Sequence, residues 1–252
     1  MIKFFRKIRQ KLLEQNRVSK YLLYAFGEIV LVVIGILIAL QINDWNENRK
    51  ERYEELKLLR QIKVDLIENQ DETLNLIKRI KVNSYAMDSV ISSLKNQKYS
   101  NRIPVYMTLI HRKSFFNNSN SGYKLIGSGM HKVISNDSLL KDILQLYEKD
   151  FVNIISRQEL MNTKIEDKLY PLTNELFTIN SAISIRLDEL DVLASEVYDP
   201  IDFMALSKNN VYLNNLYQLN NTFKIRLSYL ESTKEKLKVT LNMLDSELEK
   251  LK

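Results

Sequence analysis

The feature that most constrains this chain is an apolar run over residues 21–42, YLLYAFGEIVLVVIGILIALQI, with one charged residue, Glu28, and no Pro. A helix of this length rises about 33 Å, enough to cross the roughly 30 Å hydrocarbon core of a bilayer. A cleaved signal peptide is the alternative, but its apolar region is usually about 7–15 residues long and ends in a small-x-small site. Because the run over residues 21–42 is longer than that range, we predict an uncleaved transmembrane signal-anchor helix.

The charges on either side of this run predict its orientation. The tail, residues 1–20, has seven Lys or Arg residues against Glu14 alone, whereas residues 43–55 have five acidic residues against three basic ones. Because basic flanks stay in the cytoplasm, we predict a single-pass membrane protein with a cytoplasmic N-terminus. Residues 43–252 are then exported from the cytoplasm.

The net charge points to lipid and not to nucleic acid. The whole chain carries +6, and the tail alone accounts for that excess. Its apolar residues share one helical face: Phe4, Phe5, Ile8, Leu12 and Leu13. We expect an amphipathic helix that lies on anionic lipid of the inner leaflet, with a disordered basic tail as the alternative.

The exported part is predicted to be one all-α domain. The chain has no Cys, so this domain must depend on its hydrophobic core rather than on disulfides. With 5 Gly and 3 Pro in 252 residues, few residues interrupt helices. Long helices are therefore expected, and not many short strands.

Apolar residues at intervals of seven mark a first helix over 43–96 and a last helix over about 207–251. The first series is Leu59, Leu66, Thr73, Ile80, Met87 and Leu94, and the last is Phe223, Leu230, Leu237, Leu244 and Leu251, with Leu227, Leu241 and Leu248 at the interleaved positions. We predict an elongated antiparallel bundle with coiled-coil-like first and last helices, in which Asn69 and Asn83 set the register. Parallel self-association of either helix remains the alternative.

Between the long helices the pattern is more broken. We predict a helix over 104–113 that begins at Pro104, a loop over 114–121 and a short helix over 122–129. A longer helix over about 137–168 is expected, capped by Asn136 or Ser135 and ended or kinked by Pro171. A further helical stretch should follow over about 173–196, before a turn at Asp199 and Pro200.

Site chemistry is sparse. His111 and His131 lack a metal-ligand partner four residues on, and without Cys no zinc or iron–sulfur pattern exists, so we expect surface or capping histidines and no metal. The glycines at 122 and 127 have phosphate-loop spacing, but Ser128 and Gly129 replace the required Lys and Ser or Thr. The sequence predicts no enzyme and no cofactor.

The best candidate for a partner-binding loop is the segment where aromatic, glycine and small polar residues interrupt the helices. Its candidate residues are Phe115, Phe116, Gly122, Tyr123, Gly127 and Gly129. Loops that break a rigid scaffold often carry binding groups. The alternative is a helix-to-helix crossover whose aromatic residues close the end of the bundle.

A second candidate surface lies within the span. On a helical wheel Glu28, Gly35 and Ala39 fall on one side, and an intramembrane acid beside a small-xxx-small pattern is typical of a helix-packing face. The face would meet another copy of the chain or another membrane protein. Alternatively, Glu28 reaches interfacial water or Tyr24 near the membrane surface.

The run MIKFFRKIRQKLL, followed by SKYLLYAFGEIVLVVIGILIALQINDWNE, resembles an uncharacterised family of membrane proteins from the Bacteroidota, known as a domain of unknown function. The later segment GYKLIGSGMHKVISNDSLLKDILQLYE fits the same family less distinctively. The resemblance implies a single-span inner-membrane protein with a helical periplasmic domain. It implies no catalytic residue and no ligand.

The function that these features favour is a non-enzymatic scaffold or accessory subunit, which presents a periplasmic helical bundle to a partner. One alternative is a periplasmic ligand sensor that signals through a partner's span. Another is an ion-coupled, stator-like subunit that uses Glu28.

Overall fold

The longest element is a helix that contains the apolar run. A computed structural model describes residues 18–187 and 190–251, and its first helix, α1, extends over Val18–Lys95. These 78 residues include no Pro, and Gly only at Gly27 and Gly35, so little interrupts the helix. It ends just before Gln97, whose φ is +52°. The predicted helix over 43–96 is confirmed to within one residue.

The chain divides into two compact units, Met1–Glu55 and Leu56–Lys252. In the first unit, the large apolar side chains of residues 22–42 are exposed, and an 18-residue window there contains no buried residue. Among the residues that the structure describes, one helix is long and apolar enough to cross a membrane. Residues 1–17 of the predicted tail, and the side chains of Tyr21 and Tyr24, lie outside the described part.

The second unit is built around the part of α1 that follows Leu56 and a last helix, α8, over Asn210–Lys250. The predicted heptad residues form its core: Leu59, Leu66, Thr73, Ile80, Met87 and Leu94 of α1, and Phe223, Leu230, Leu237 and Leu244 of α8, are all buried. Asn209 caps α8, because its side chain accepts a hydrogen bond from the Tyr212 amide at 3.0 Å. The last helix therefore begins three residues later than predicted.

Three ion pairs join α8 to the part of α1 that lies in the second unit. Lys63 pairs with Asp245 at 2.6 Å, Lys81 with Glu231 at 2.7 Å, and Asp88 with Lys224 at 3.7 Å. As the residue number rises along α1 it falls along α8, so the paired segments of the two helices run in opposite directions.

Shorter helices fill the interval between them. They are α2 over Ile103–His111, α3 over Ser121–Gly127, a 3-10 turn over Met130–Val133, α4 over Asp137–Gln145, α5 over Phe151–Lys164, α6 over Tyr170–Leu176 and α7 over Phe203–Ser207. Helices α4, α5 and α6 are continuous through π turns at Leu146–Asp150 and Ile165–Leu169. The Asn136 cap is confirmed, because the Leu139 amide donates to its Oδ1 at 3.1 Å. Pro171 directly follows the second π turn, and the helix does not end there as one of the two predicted outcomes had it, but continues to Leu176.

A β-hairpin overturns one prediction. Strands β1 over Phe177–Leu187 and β2 over Leu190–Pro200 pair antiparallel, from Phe177 opposite Pro200 to Leu187 opposite Leu190. The predicted helical stretch over 173–196 is therefore wrong beyond Leu176. The protein is mostly helical, as expected, but it is not all-α.

The hairpin has a physical origin in the sequence. In FTINSAISIRL, apolar residues recur at every second position from Ile183 to Leu187, and isoleucine is β-branched. A period of two suits a strand, whereas a helix needs a period near 3.6. The shortage of Gly and Pro in this stretch outweighed that alternation in the prediction.

Candidate functional site

The structure places the predicted span face on an open side of α1. Gly35 has nothing within 4 Å of the position that a Cβ would take, and Ala39 is exposed. Glu28 is half-buried. Whether Glu28, Gly35 and Ala39 meet a second helix stays a prediction.

The six residues of the predicted partner-binding loop do not form one surface. Phe116 is buried, with its ring centroid 5.8 Å from that of Phe151, and Tyr123 stacks on Tyr147 at 4.5 Å. Phe115 points outward and is 59% exposed. The glycines at 127 and 129 are also exposed, and Gly129 has a φ of +107°. The predicted residues thus separate into inward-packing and outward-facing groups.

Gly122 is required because α3 approaches α1 closely. A Cβ at this position would lie 2.8 Å from the backbone nitrogen of Ile62. The contact is reinforced by Asp65, which is buried in α1 and accepts hydrogen bonds from the Gly122 amide and the Ser121 hydroxyl, each at 2.6 Å. Asp65 therefore supplies the cap that the N-terminus of α3 lacks within its own segment.

Two asparagines hold the loop between α2 and α3 at both ends. The side chain of Asn162 accepts from the Ser114 amide at 3.3 Å and donates to its carbonyl at 3.1 Å. The side chain of Asn69 accepts from the Ser119 amide at 2.7 Å and donates to its carbonyl at 2.8 Å. Asn69, predicted to set helix register, therefore fixes this loop to α1.

One face of the fixed loop borders a cleft of about 650 Å³, which we term the Ser114 cleft. Its walls include three cations, Arg79, Arg112 and Lys113, and three apolar side chains, Val82, Leu109 and Phe115, and Ser114 and Glu72 also line it. Arg79 pairs with Glu72 at 3.2 Å, and Lys113 pairs with Glu166. Arg112 is exposed and has no ion-pair partner among the described residues.

Beneath Ser114 lies a fully buried guanidinium. Arg226 of α8 has no exposed surface, and its Nη1 donates to the Ser114 hydroxyl at 2.5 Å while Nη2 donates to the Gln158 amide oxygen at 3.1 Å. No carboxylate among the described residues pairs with it, and Nε has no acceptor. Burial, and then the charge of Arg79, lower the pKa of Arg226 to about 10, so it stays charged at neutral pH.

Sequence reasoning missed Arg226 because it assigned the second stripe of α8 to leucines alone. Leu241 and Leu248 are buried as predicted and Leu227 is partly buried, but Arg226, Thr233 and Thr240 of the same helix are buried more deeply. Spacings of three and four from Phe223 to Arg226 to Leu230 were visible in the sequence. A charged residue on such a stripe is the signal that could have identified it.

His111 is also buried, so the expectation of a surface or capping histidine is wrong here. Its ring stacks on Tyr198 at 4.6 Å and contacts Phe177 edge-on at 5.4 Å, and both partners belong to the unpredicted hairpin. Nδ1 donates to the Met107 carbonyl at 2.7 Å, and Nε2 is unpaired. Burial lowers the pKa of His111 to about 4. The side chain of His131 lies outside the described part.

No group of three His, Asp or Glu side chains is placed to hold a metal ion within residues 18–187 and 190–251. Over the described residues, the protein is thus mostly helical, with one helix of membrane-spanning length and a cleft lined by both cations and apolar side chains.

The family of unknown function DUF6090 matches residues 28–206, and the chain belongs to this family. No curated protein and no solved structure matches the chain. The matched range includes the loop and the hairpin, whereas Arg226 lies beyond it.

Proposed function

We propose that this chain is a single-pass inner-membrane protein that acts as a non-enzymatic scaffold or accessory subunit. Residues 21–42 cross the membrane, the basic tail contacts anionic lipid in the cytoplasm, and residues 43–252 form a periplasmic domain. The observation that carries the proposal is the exposure of the apolar window in α1, in which no residue is buried. The resemblance to Bacteroidota membrane proteins supports the same placement.

In this proposal the domain is an antiparallel helical bundle with coiled-coil-like α1 and α8. The opposed order of the Lys63–Asp245 and Lys81–Glu231 ion pairs supports that packing. A bundle whose core is complete within one chain leaves its surface and its span free to meet a partner.

The span is proposed to meet a second copy of the chain, or another membrane protein, through Glu28, Gly35 and Ala39. Open space at Gly35 supports this assignment, because a helix backbone approaches closely only where side chains are small. Gly27 offers a matched control, since it has the same open space but lies one residue before Glu28, on a different side of the helix.

Crosslinking of the full chain in native membranes tests this function. Gly35→Leu is expected to reduce the crosslinked oligomer or the captured partner, because its side chain separates the helices, whereas Gly27→Leu should leave the yield unchanged. Wild-type chain that yields only monomer, with no co-purifying partner, would contradict the scaffold function. Equal losses in the two variants would contradict the assigned face.

A second candidate function is a ligand sensor that signals through a partner's span. The observation that favours it is the Ser114 cleft, whose volume lies within the roughly 300–1,000 Å³ typical of small-molecule sites. A small molecule that raises the melting temperature of the full chain and changes the yield of the crosslinked partner would support this role. Stabilisation without a change in that yield would count against signalling.

A further inference from the structure

We propose that the Ser114 cleft binds a small organic anion, with its acidic head on Arg112, Arg79 and the Ser114 hydroxyl and its apolar part against Phe115 and Leu109. This assignment concerns the second unit alone, and it is independent of membrane placement and of self-association.

The first step of the argument is a charge balance. Four cations lie in or directly beneath the cleft, and two carboxylates of the described residues, Glu72 and Glu166, pair with two of them. The unbalanced pair is Arg226, which is wholly buried, and Arg112. A buried charge with neutral hydrogen-bond partners keeps most of its desolvation cost until an opposite charge approaches. The buried guanidinium therefore lacks a counter-charge, and Arg112 adds a second cation that no carboxylate of the described residues balances.

The second step is the route by which that charge could arrive. Ser114 accepts from Arg226 below and lines the cleft above, so it connects the buried guanidinium with the open volume. The charge of Arg79, which also lines the cleft, lowers the pKa of Arg226. An anion beside Ser114 and Arg79 would thus interact with the buried guanidinium as well as with the cations of the wall.

The third step concerns shape and rigidity. The volume of about 650 Å³ is much larger than an inorganic oxyanion needs, and Val82, Leu109 and Phe115 make part of the wall apolar. An acidic head joined to an apolar group fits both kinds of surface. The asparagine contacts to Ser114 and Ser119 hold the loop in place without a ligand, which reduces the ordering cost of binding.

The test uses the full chain in nanodiscs of zwitterionic lipid, with benzoate and acetate as probes and chloride at matched ionic strength as the reference. Thermal unfolding is followed by circular dichroism at pH 7.4. We expect benzoate to raise the melting temperature in a saturable way, and acetate to raise it less because it lacks an apolar part. A benzoate response no larger than that of chloride would overturn the proposal.

Substitutions at Arg112 and Phe115 test the site without disturbing the fold, because both side chains are exposed. Arg112→Gln should weaken benzoate binding about tenfold, as expected for one charge-assisted hydrogen bond, whereas the matched control Arg60→Gln, at an exposed arginine of α1 outside the cleft, should not. Phe115→Ala should reduce the affinity for benzoate toward that for acetate. Equal benzoate affinities in Arg112→Gln and Arg60→Gln would overturn the assignment.

A variant of the buried arginine separates ligand binding from a purely structural role. If Arg226 serves a ligand, Arg226→Met removes the benzoate response while the melting temperature without ligand falls by no more than a few degrees. If Arg226 only ties Ser114 to Gln158, the variant melts far below wild type and the wild type shows no benzoate response. The second result would contradict the proposal.

Discussion

The two parts of α1 carry similar apolar residues in opposite environments. In residues 22–42 the side chains of Leu31 and Leu37 are 67% and 58% exposed, whereas in the second unit Leu59 and Leu66 have no exposed surface. Side-chain chemistry does not explain this difference, because leucine occurs in both. What differs is the spacing of the apolar residues and therefore the surroundings that the helix requires.

The first stretch is apolar around its whole circumference, so no single neighbour in the chain could cover it. The second stretch alternates buried leucines with charged residues such as Lys63 and Arg79, which pair with Asp245 and Glu72. A helix with an apolar stripe packs that stripe against protein, whereas a helix that is apolar on every side needs apolar surroundings on every side, which in the proposed function are lipid. The two parts of this one helix therefore need different surroundings, and substitutions at single residues can test the difference.

The largest expected effect is on the buried leucines. Leu66→Ala should lower the free energy of unfolding of the second unit by about 2–5 kcal/mol, because it removes packed atoms and leaves a cavity. The matched change Leu37→Ala, at an exposed position, should alter it by less than about 0.5 kcal/mol. Urea unfolding of the full chain in nanodiscs measures both values. Comparable losses from the two variants would break the comparison.

Acid should lower the free energy of unfolding of the second unit by about 3 kcal/mol, because His111 lies in that unit. The first unit has no histidine and should not show this effect. Unfolded His111 takes up a proton near pH 6.5, whereas the folded residue takes it up near pH 4. The contribution of neutral His111 to the free energy of unfolding is therefore complete above pH 6.5 and is lost as the pH falls toward 4.

Unfolding free energies at pH 7 and pH 4.5 test this dependence. His111→Phe should flatten the pH dependence, since it removes the proton site but keeps an aromatic ring against Tyr198. The wild-type chain, measured at the same two pH values, supplies the reference slope. A His111→Phe variant with that same slope would exclude the buried imidazole as its source.

The glycines sharpen the comparison further, with an effect of about 1–3 kcal/mol. Gly122→Ala should destabilise the second unit by that amount, because its Cβ would lie 2.8 Å from the Ile62 nitrogen. Gly127→Ala has open space and should be neutral or stabilise by about 0.5 kcal/mol. Urea unfolding compares the pair, and a neutral Gly122→Ala would mean that α3 lies farther from α1 than the structure has it.

The extents and buried faces of the two long helices were predictable because the spacing of apolar residues along each helix is regular. Regular sevens from Leu59 to Leu94 and from Phe223 to Leu244 identified core residues that are buried in the structure. The Asn136 cap was equally local. These features depend on neighbours within a few turns of one helix, which a sequence records directly.

The hairpin and the site were not predictable in the same way. Strand and helix compete for an apolar stretch such as 177–187, and the outcome depends on contacts far along the chain, such as the Tyr198 amide donating to the Thr108 hydroxyl at 3.1 Å. The Ser114 cleft and the arginine beneath it bring together Arg79, Ser114 and Arg226 from three distant segments. The loop is the one part of the cleft wall that the sequence identified as a candidate site. Of the six predicted loop residues, only Phe115 lines the cleft.

The measurement that tests the central claim most directly is cysteine accessibility in native membranes, because the natural chain has no Cys. Single-cysteine variants Ile34→Cys and Val239→Cys replace exposed residues, one in each unit. Intact spheroplasts are treated with a membrane-impermeant maleimide, and detergent with denaturant gives full labelling as the reference. We predict rapid labelling at position 239 and protection at position 34, before and after the cells are broken. Labelling at position 34 as fast as at 239, or labelling at 239 only after the cells are broken, would contradict the membrane placement.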